Sequence, residues 1–144
     1  MTKYRRVSVD RVDRFVNLCE NDITIIDQSG KRITLPATQN VARLTTPMPE
    51  YITIPGCPFP VVTDEVRGTI SGLPDPEDGV VYITSYLVMQ AALRPDVWCP
   101  ATGNHHGAVK DEKRRVVAVR AFMQPYIEEE VEDGDEGDDE VSLG

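Results

Sequence analysis

The residues best suited to chemistry lie between Arg94 and Asp111, in the stretch RPDVWCPATGNHHGAVKD. Thr102, Gly103 and Asn104 sit where Gly103 and Gly107 leave the chain free to turn, and hydroxyls and backbone amides so placed can surround a phosphate or carboxylate. Arg94 and Lys110 supply positive charge, Arg43 adds a further guanidinium from upstream, and Asp111 and Asn17 are expected to orient the loop. Ser85 opens a helix and contributes a hydroxyl beside its first amides. Asn17, Arg43, Ser85, Arg94, Thr102, Gly103, Lys110 and Asp111 are therefore expected to form one ligand-binding site. The stretch is not a P-loop, because the glycine spacing and the Lys–Ser/Thr pair are missing.

Other chemistries have weaker signatures. Cys57, Cys99, His105 and His106 are zinc-type ligands, but Cys-x5-His-His is not a ligand spacing, and no metal or cofactor is expected. Ser85 stands at a strand-to-helix junction in I-T-S-Y-L, without the flanking glycines of a nucleophile elbow, and reads as a helix cap. A small hydrolase using Ser85 or the histidines is kept as an alternative to a non-catalytic protein. Asp96 and Asp111 lie next to Arg94 and Lys110 and are expected to organise the loop by ion pairing. Three widely spaced cysteines, Cys19, Cys57 and Cys99, do not suggest a disulfide framework, and read as reduced, packed thiols. Cys99, between Trp98 and Pro100, is expected to be partly buried and of low reactivity.

The elements that must position these residues begin with composition. A chain of 144 residues with 40% hydrophobic and 27% charged residues predicts a single soluble domain. The net charge of −9 is uneven: residues 128–144 hold ten acidic side chains and no basic one, leaving 14 acidic against 15 basic elsewhere. The expected organisation is a basic N-terminal arm over 1–16, one domain over 17–127 and a disordered acidic tail over 128–144. The tail reads as a self-repelling, solubilising appendage, with nucleic-acid mimicry or a tether to a basic partner as the functional alternative. Direct nucleic-acid binding is not expected of the near-neutral body, whose basic residues are scattered. No apolar run is long enough to span a bilayer, and no secretory signal opens the chain, so a cytoplasmic protein is expected.

Local patterning predicts an α+β fold. Residues 8–18 suit either a short helix capped by Ser8 or a strand. Asp22–Asp27 and Arg32–Leu35 alternate as a hairpin, and residues 40–46 make a third strand. Five prolines between Pro47 and Pro60 exclude a helix there, with short strands at 51–54, 60–62 and 66–72. VVYIT at 80–84 reads as a buried central strand and residues 85–94 as the main helix, ended by Arg94-Pro95. Residues 95–110 read as a long loop, and 114–122 as a closing strand. The sum is a curved, mostly antiparallel sheet or partial barrel with one main helix.

The residues Gly72-Leu73-Pro74-x-Pro76-x-x-Gly79-x-x-Tyr82-Ile83-x-Ser85, then Arg94-Pro95-Asp96-Val97, Pro100-x-Thr102-Gly103 and Val109-Lys110-Asp111, carry a resemblance. The pattern is similar to that of small proteins encoded by bacteriophages, prophages and some bacteria, over roughly residues 17–122. Asn17-Leu18 and Ala42-Arg43 match it, while the Pro-His that often follows Asn-Leu is replaced by Glu20-Asn21. The resemblance implies a phage-like origin and brings no activity with it. The resulting expectation is a non-catalytic binding protein that occupies a host small molecule, of nucleotide type, or a host defence protein. The alternative is a virion component that uses residues 47–60 and both termini as assembly arms. An exposed sheet edge would also allow self-association.

Overall fold

The computed structural model describes residues 2–63 and 68–131. Along the chain the strands are β1 (Lys3–Arg6), β2 (Arg14–Asn17), β3 (Ile23–Ile26), β4 (Arg32–Leu35), β5 (Arg43–Thr45), β6 (Tyr51–Ile52), β7 (Val61–Val62), β8 (Thr69–Ser71) and β9 (Val80–Ile83). Helix α1 (Tyr86–Ala92) leads to β10 (Val97–Pro100), then a 3-10 turn (Asn104–His106), β11 (Val109–Lys110), β12 (Val116–Ala118), β13 (Phe122–Met123) and β14 (Glu128–Val131). The class is α+β, mostly antiparallel and without a closed barrel.

The centre follows from VVYI. All four residues of β9 are buried, as an apolar, β-branched run requires when both sheet faces are covered. Parallel neighbours β2 and β10 flank it, and β13 adds antiparallel to β10, giving the order β13-β10-β9-β2. Ser85 caps α1 by accepting a hydrogen bond from the Val88 amide at 3.3 Å, and Leu93 ends the helix in the left-handed region. Val88 and Met89 point inward onto Leu18, Val80, Tyr82, Val97 and Cys99. Beyond the helix-covered face, the rings of Phe15, Trp98 and Phe122 meet at centroid distances of 5.5 to 6.1 Å. Hairpin β3–β4 is tied to this body where Ile26 N–H donates to Val119 and Val119 N–H to Thr24, at 2.9 Å each.

Two two-stranded ribbons leave the body. The first joins β1 to β14, with Lys3 opposite Val131 and Arg6 opposite Glu128. The second starts at β5–β8, anchored by Leu44 and Ile70 against the core, and continues outward as β6–β7. Gly68 is required at its base, because a Cβ there would stand 2.6 Å from the Thr45 carbonyl oxygen.

Four expectations change. Residues 95–110 are not one loop: Val97–Pro100 is an inner strand, with Val97 and Cys99 almost fully buried. Pro95 stands just before its four residues and Pro100 is the last of them, so its length and borders resemble a loop, yet neither proline has to donate within the ladder. Residues 14–16 belong to the central sheet, so the basic arm ends before Arg14, and the segment's β-branched valine and aromatic side chain settle on strand rather than helix. Glu128–Val131 is a strand: the like charges that disfavour order in isolation face a basic partner strand, with Arg5 Nε 2.6 Å from Glu129. The rest of the acidic tail, 132–144, lies outside the described residues. The closing strand 114–122 is split, with β12 pairing β11 and β13 pairing β10.

Candidate functional site

Parallel strands align their carboxyl ends, and in open parallel sheets ligands lie beyond those ends. Here β2 finishes at Asn17, β9 at Ile83 and β10 at Pro100, and a cleft of about 550 Å³ opens beside them. Its apolar lining includes Leu18, Leu44, Leu87, Val88 and Pro100, and its polar side chains are Cys19, Glu20, Asn21, Asp22, Arg43, Thr45 and Ser85. The volume, and a lining that mixes apolar side chains with convergent polar ones, match a small-molecule site.

Each polar group is positioned by local structure. Asn17, 2% exposed, donates from Nδ2 to the carbonyls of Asn21 and Leu35, at 3.0 Å each, and accepts from the Cys19 amide at 2.9 Å. These bonds fold residues 17–22 into the turn that presents Cys19, Glu20 and Asp22. Asp22 spends one oxygen on the Ala37 amide at 2.8 Å. Arg43, on the base of the second ribbon, lies 3.7 Å from Glu20, with both side chains largely exposed. Cys19 sits close to the Ile83 carbonyl at 3.7 Å, and burial pushes its thiol up. Burial and the proximity of Cys19 push Cys99 up to about 11, so neither is an activated nucleophile at neutral pH.

The eight residues expected to act together are dispersed. Arg43 and Ser85 share the cleft, and Asn17 stands behind it with its side-chain hydrogen bonds already used. Arg94 lies at the opposite, amino end of β9 and β10. It grips Asp96 with two bonds of 3.0 and 2.7 Å, donates to the Pro74 carbonyl at 2.9 Å, and stands 5.9 Å from the Tyr82 ring centroid. That makes it a lock between the Pro74–Pro76 turn and β10. Thr102 is exposed beyond β10, Gly103 caps the 3-10 turn, and Lys110 Nζ donates to Asn104 Oδ1 at 2.5 Å. Asp111 accepts from the amides of Lys113 and Arg115 and from Arg115 Nε, at 2.9 Å each. The Arg115 backbone bond, then its side-chain bond, lowers the Asp111 carboxyl below its usual range. Asp111 thus builds its own turn and does not pair with Lys110.

The rings of His105 and His106 lie 3.8 Å apart between centroids, tilted by 44°, and no hydrogen bond joins either to Ser85 among the described residues. Among those residues, no group of three histidine, cysteine or acidic side chains is placed to hold a metal ion, and no helix is long and apolar enough to cross a membrane. Sequence reasoning missed Cys19, Glu20 and Asp22. The available signal was Asn17-Leu18 ending an apolar strand before a polar C-E-N-D turn. Comparison with protein-family models, curated proteins and solved structures gave no match.

Proposed function

We propose that this chain is a non-catalytic binding protein of phage or mobile-element origin, acting in the host cytoplasm, with its ligand in the cleft at the carboxyl ends of β2, β9 and β10. The observation that carries this reading is that Arg43 and Ser85 line one cleft of about 550 Å³ together with the apolar Leu18, Leu44, Leu87 and Val88. One guanidinium facing two carboxylates, Glu20 and Asp22, suits a ligand with a flat or apolar body and at most one anionic group. A nucleoside or mononucleotide has that chemistry. A polyphosphate would need Arg94 and Lys110, and both are engaged elsewhere. Isothermal calorimetry against nucleosides, mononucleotides and cyclic dinucleotides tests the reading. Binding that Arg43→Ala weakens about tenfold and Leu87→Glu abolishes would support it. Absence of heat from every compound with a folded sample would remove the small-molecule version.

A second reading, a virion structural or assembly protein, is favoured by the ribbon β6–β7, whose Tyr51, Ile52 and Val62 are left exposed among the described residues. Its test is the presence of the chain in purified particles at a fixed copy number.

A further inference from the structure

Between Thr46 and Thr63 the chain forms an arm that keeps apolar side chains in water. Met48 is 89% exposed, Phe59 70% and Tyr51 66%, and Ile52, Ile54 and Val62 are at least two-fifths exposed. The arm is not held by its own packing, since a two-stranded hairpin is marginal in isolation. Tyr51 and Val62 stand directly opposite each other, as do Ile52 and Val61, so apolar groups occupy both faces. A groove of about 840 Å³ runs along the base of the arm, lined by Pro47, Met48, Pro49, Ile52 and Val62, with the polar Thr46, Glu50 and Thr63 at its border.

We infer that this arm pairs with the arm of a second copy of the chain about a twofold axis, Phe59 at the tip of each seating in the Pro47–Val62 groove of the other. The inference stands apart from whatever the cleft binds. Three features select a second copy over other occupants. Glu50 is the only charged side chain from Thr46 to Thr63, so the arm offers no basic group to a nucleic acid or an anionic bilayer. Knob and groove are carried by one element, which makes the surface self-complementary, as a twofold interface requires. The six exposed apolar side chains present on the order of 600 Å² per copy, so pairing would remove about 1,200 Å², the lower end of a stable specific interface. The prolines add to this by limiting the freedom the arm loses on docking.

The test is the molar mass of the full chain by light scattering and sedimentation, from about 1 to about 200 µM. Wild type is expected at twice the chain mass. Met48→Ser with Phe59→Ser is expected to weaken pairing by about 100-fold or more and give a monomer with unchanged circular dichroism. Tyr51→Lys with Val62→Glu changes different positions and keeps the proposal testable if the first variant fails to fold. A monomeric wild type, a dimer indifferent to both variants, or a larger assembly overturns the inference. A monomer that floats with neutral phosphatidylcholine vesicles would overturn it too, by assigning the arm to a lipid surface.

Discussion

The two ribbons have the same architecture and opposite chemistry. In β1–β14, Lys3-Tyr4-Arg5-Arg6 lies antiparallel to Glu128-Glu129-Glu130-Val131, so basic side chains meet acidic ones within the chain. Arg5 bonds Glu129, and Arg6 stands 4.7 Å from the Tyr126 ring centroid. That ribbon finds its complement internally and leaves water to solvate its charges. In β6–β7 the pairs are Tyr51–Val62 and Ile52–Val61, and nothing else in the described chain covers them. An uncovered charge is solvated at little cost, whereas uncovered apolar surface is a standing driving force for association. The contrast separates a ribbon that closes the chain on itself from one that points to another molecule.

Both ribbons hang from the central sheet, and the largest expected stability effect lies there. Asn17→Ala removes three hydrogen bonds at a site 2% exposed and strands their backbone partners, so it is expected to cost about 3 kcal/mol in urea unfolding. A loss below about 0.5 kcal/mol would return Asn17 to the list of ligand-facing residues. Next comes the terminal ribbon. Arg5→Ala breaks a bridge whose side chains are 68% and 47% exposed, and should cost no more than about 0.5 kcal/mol, vanishing in 1 M salt. A salt-independent loss of several times that size would mean that apolar packing, not charge, holds β1 to β14.

The smallest effect concerns the turns at Asp27 and Asp111. Both carboxyls are lowered from the ordinary 3.8, Asp27 first by the Ser29 hydroxyl and Asp111 first by the Arg115 backbone amide. A folded value below the unfolded one means that the stabilisation is in place above about pH 4 and is lost as pH falls from 3.8 through the lowered folded value. Amide exchange at Ser29, Lys31, Lys113 and Arg115 is therefore expected to lose protection in that acid window, with the core unaffected. Unchanged protection at pH 2 would show that these turns do not depend on the carboxylates.

Much of the fold was legible because it is written in local pattern. The alternation of Ile23, Ile25, Ile33 and Leu35, the run VVYI and the cap Ser85 each specify an element without help from distant residues. Strand β10 was not legible, because V-W-C-P, itself ending in a proline, has too few residues for a period and gains its order by lying beside β9. The site suffered more than the fold. The neighbouring Asp96 was a local sign that Arg94 pairs within its own loop, but nothing local placed Arg43 beside a cleft or Lys110 away from it.

By itself, the sequence determined the α+β class, the central strand with its following helix, the hairpin at 23–35, and the apolar, proline-rich character of the arm. All of these depend on interactions within a few residues. Only the tertiary structure decided that β2, β9 and β10 run parallel and open a cleft at their ends, that Arg94 and Asp111 are structural, and that the basic N-terminal strand closes on acidic β14. The strand pairings, and the bond from Arg94 to the Pro74 carbonyl, join residues 14 or more positions apart, whereas Arg94–Asp96 and Asp111–Arg115 are short-range pairs that the folded loops select over binding roles. Their selection rests on which surfaces and charges remain unsatisfied once the local elements exist.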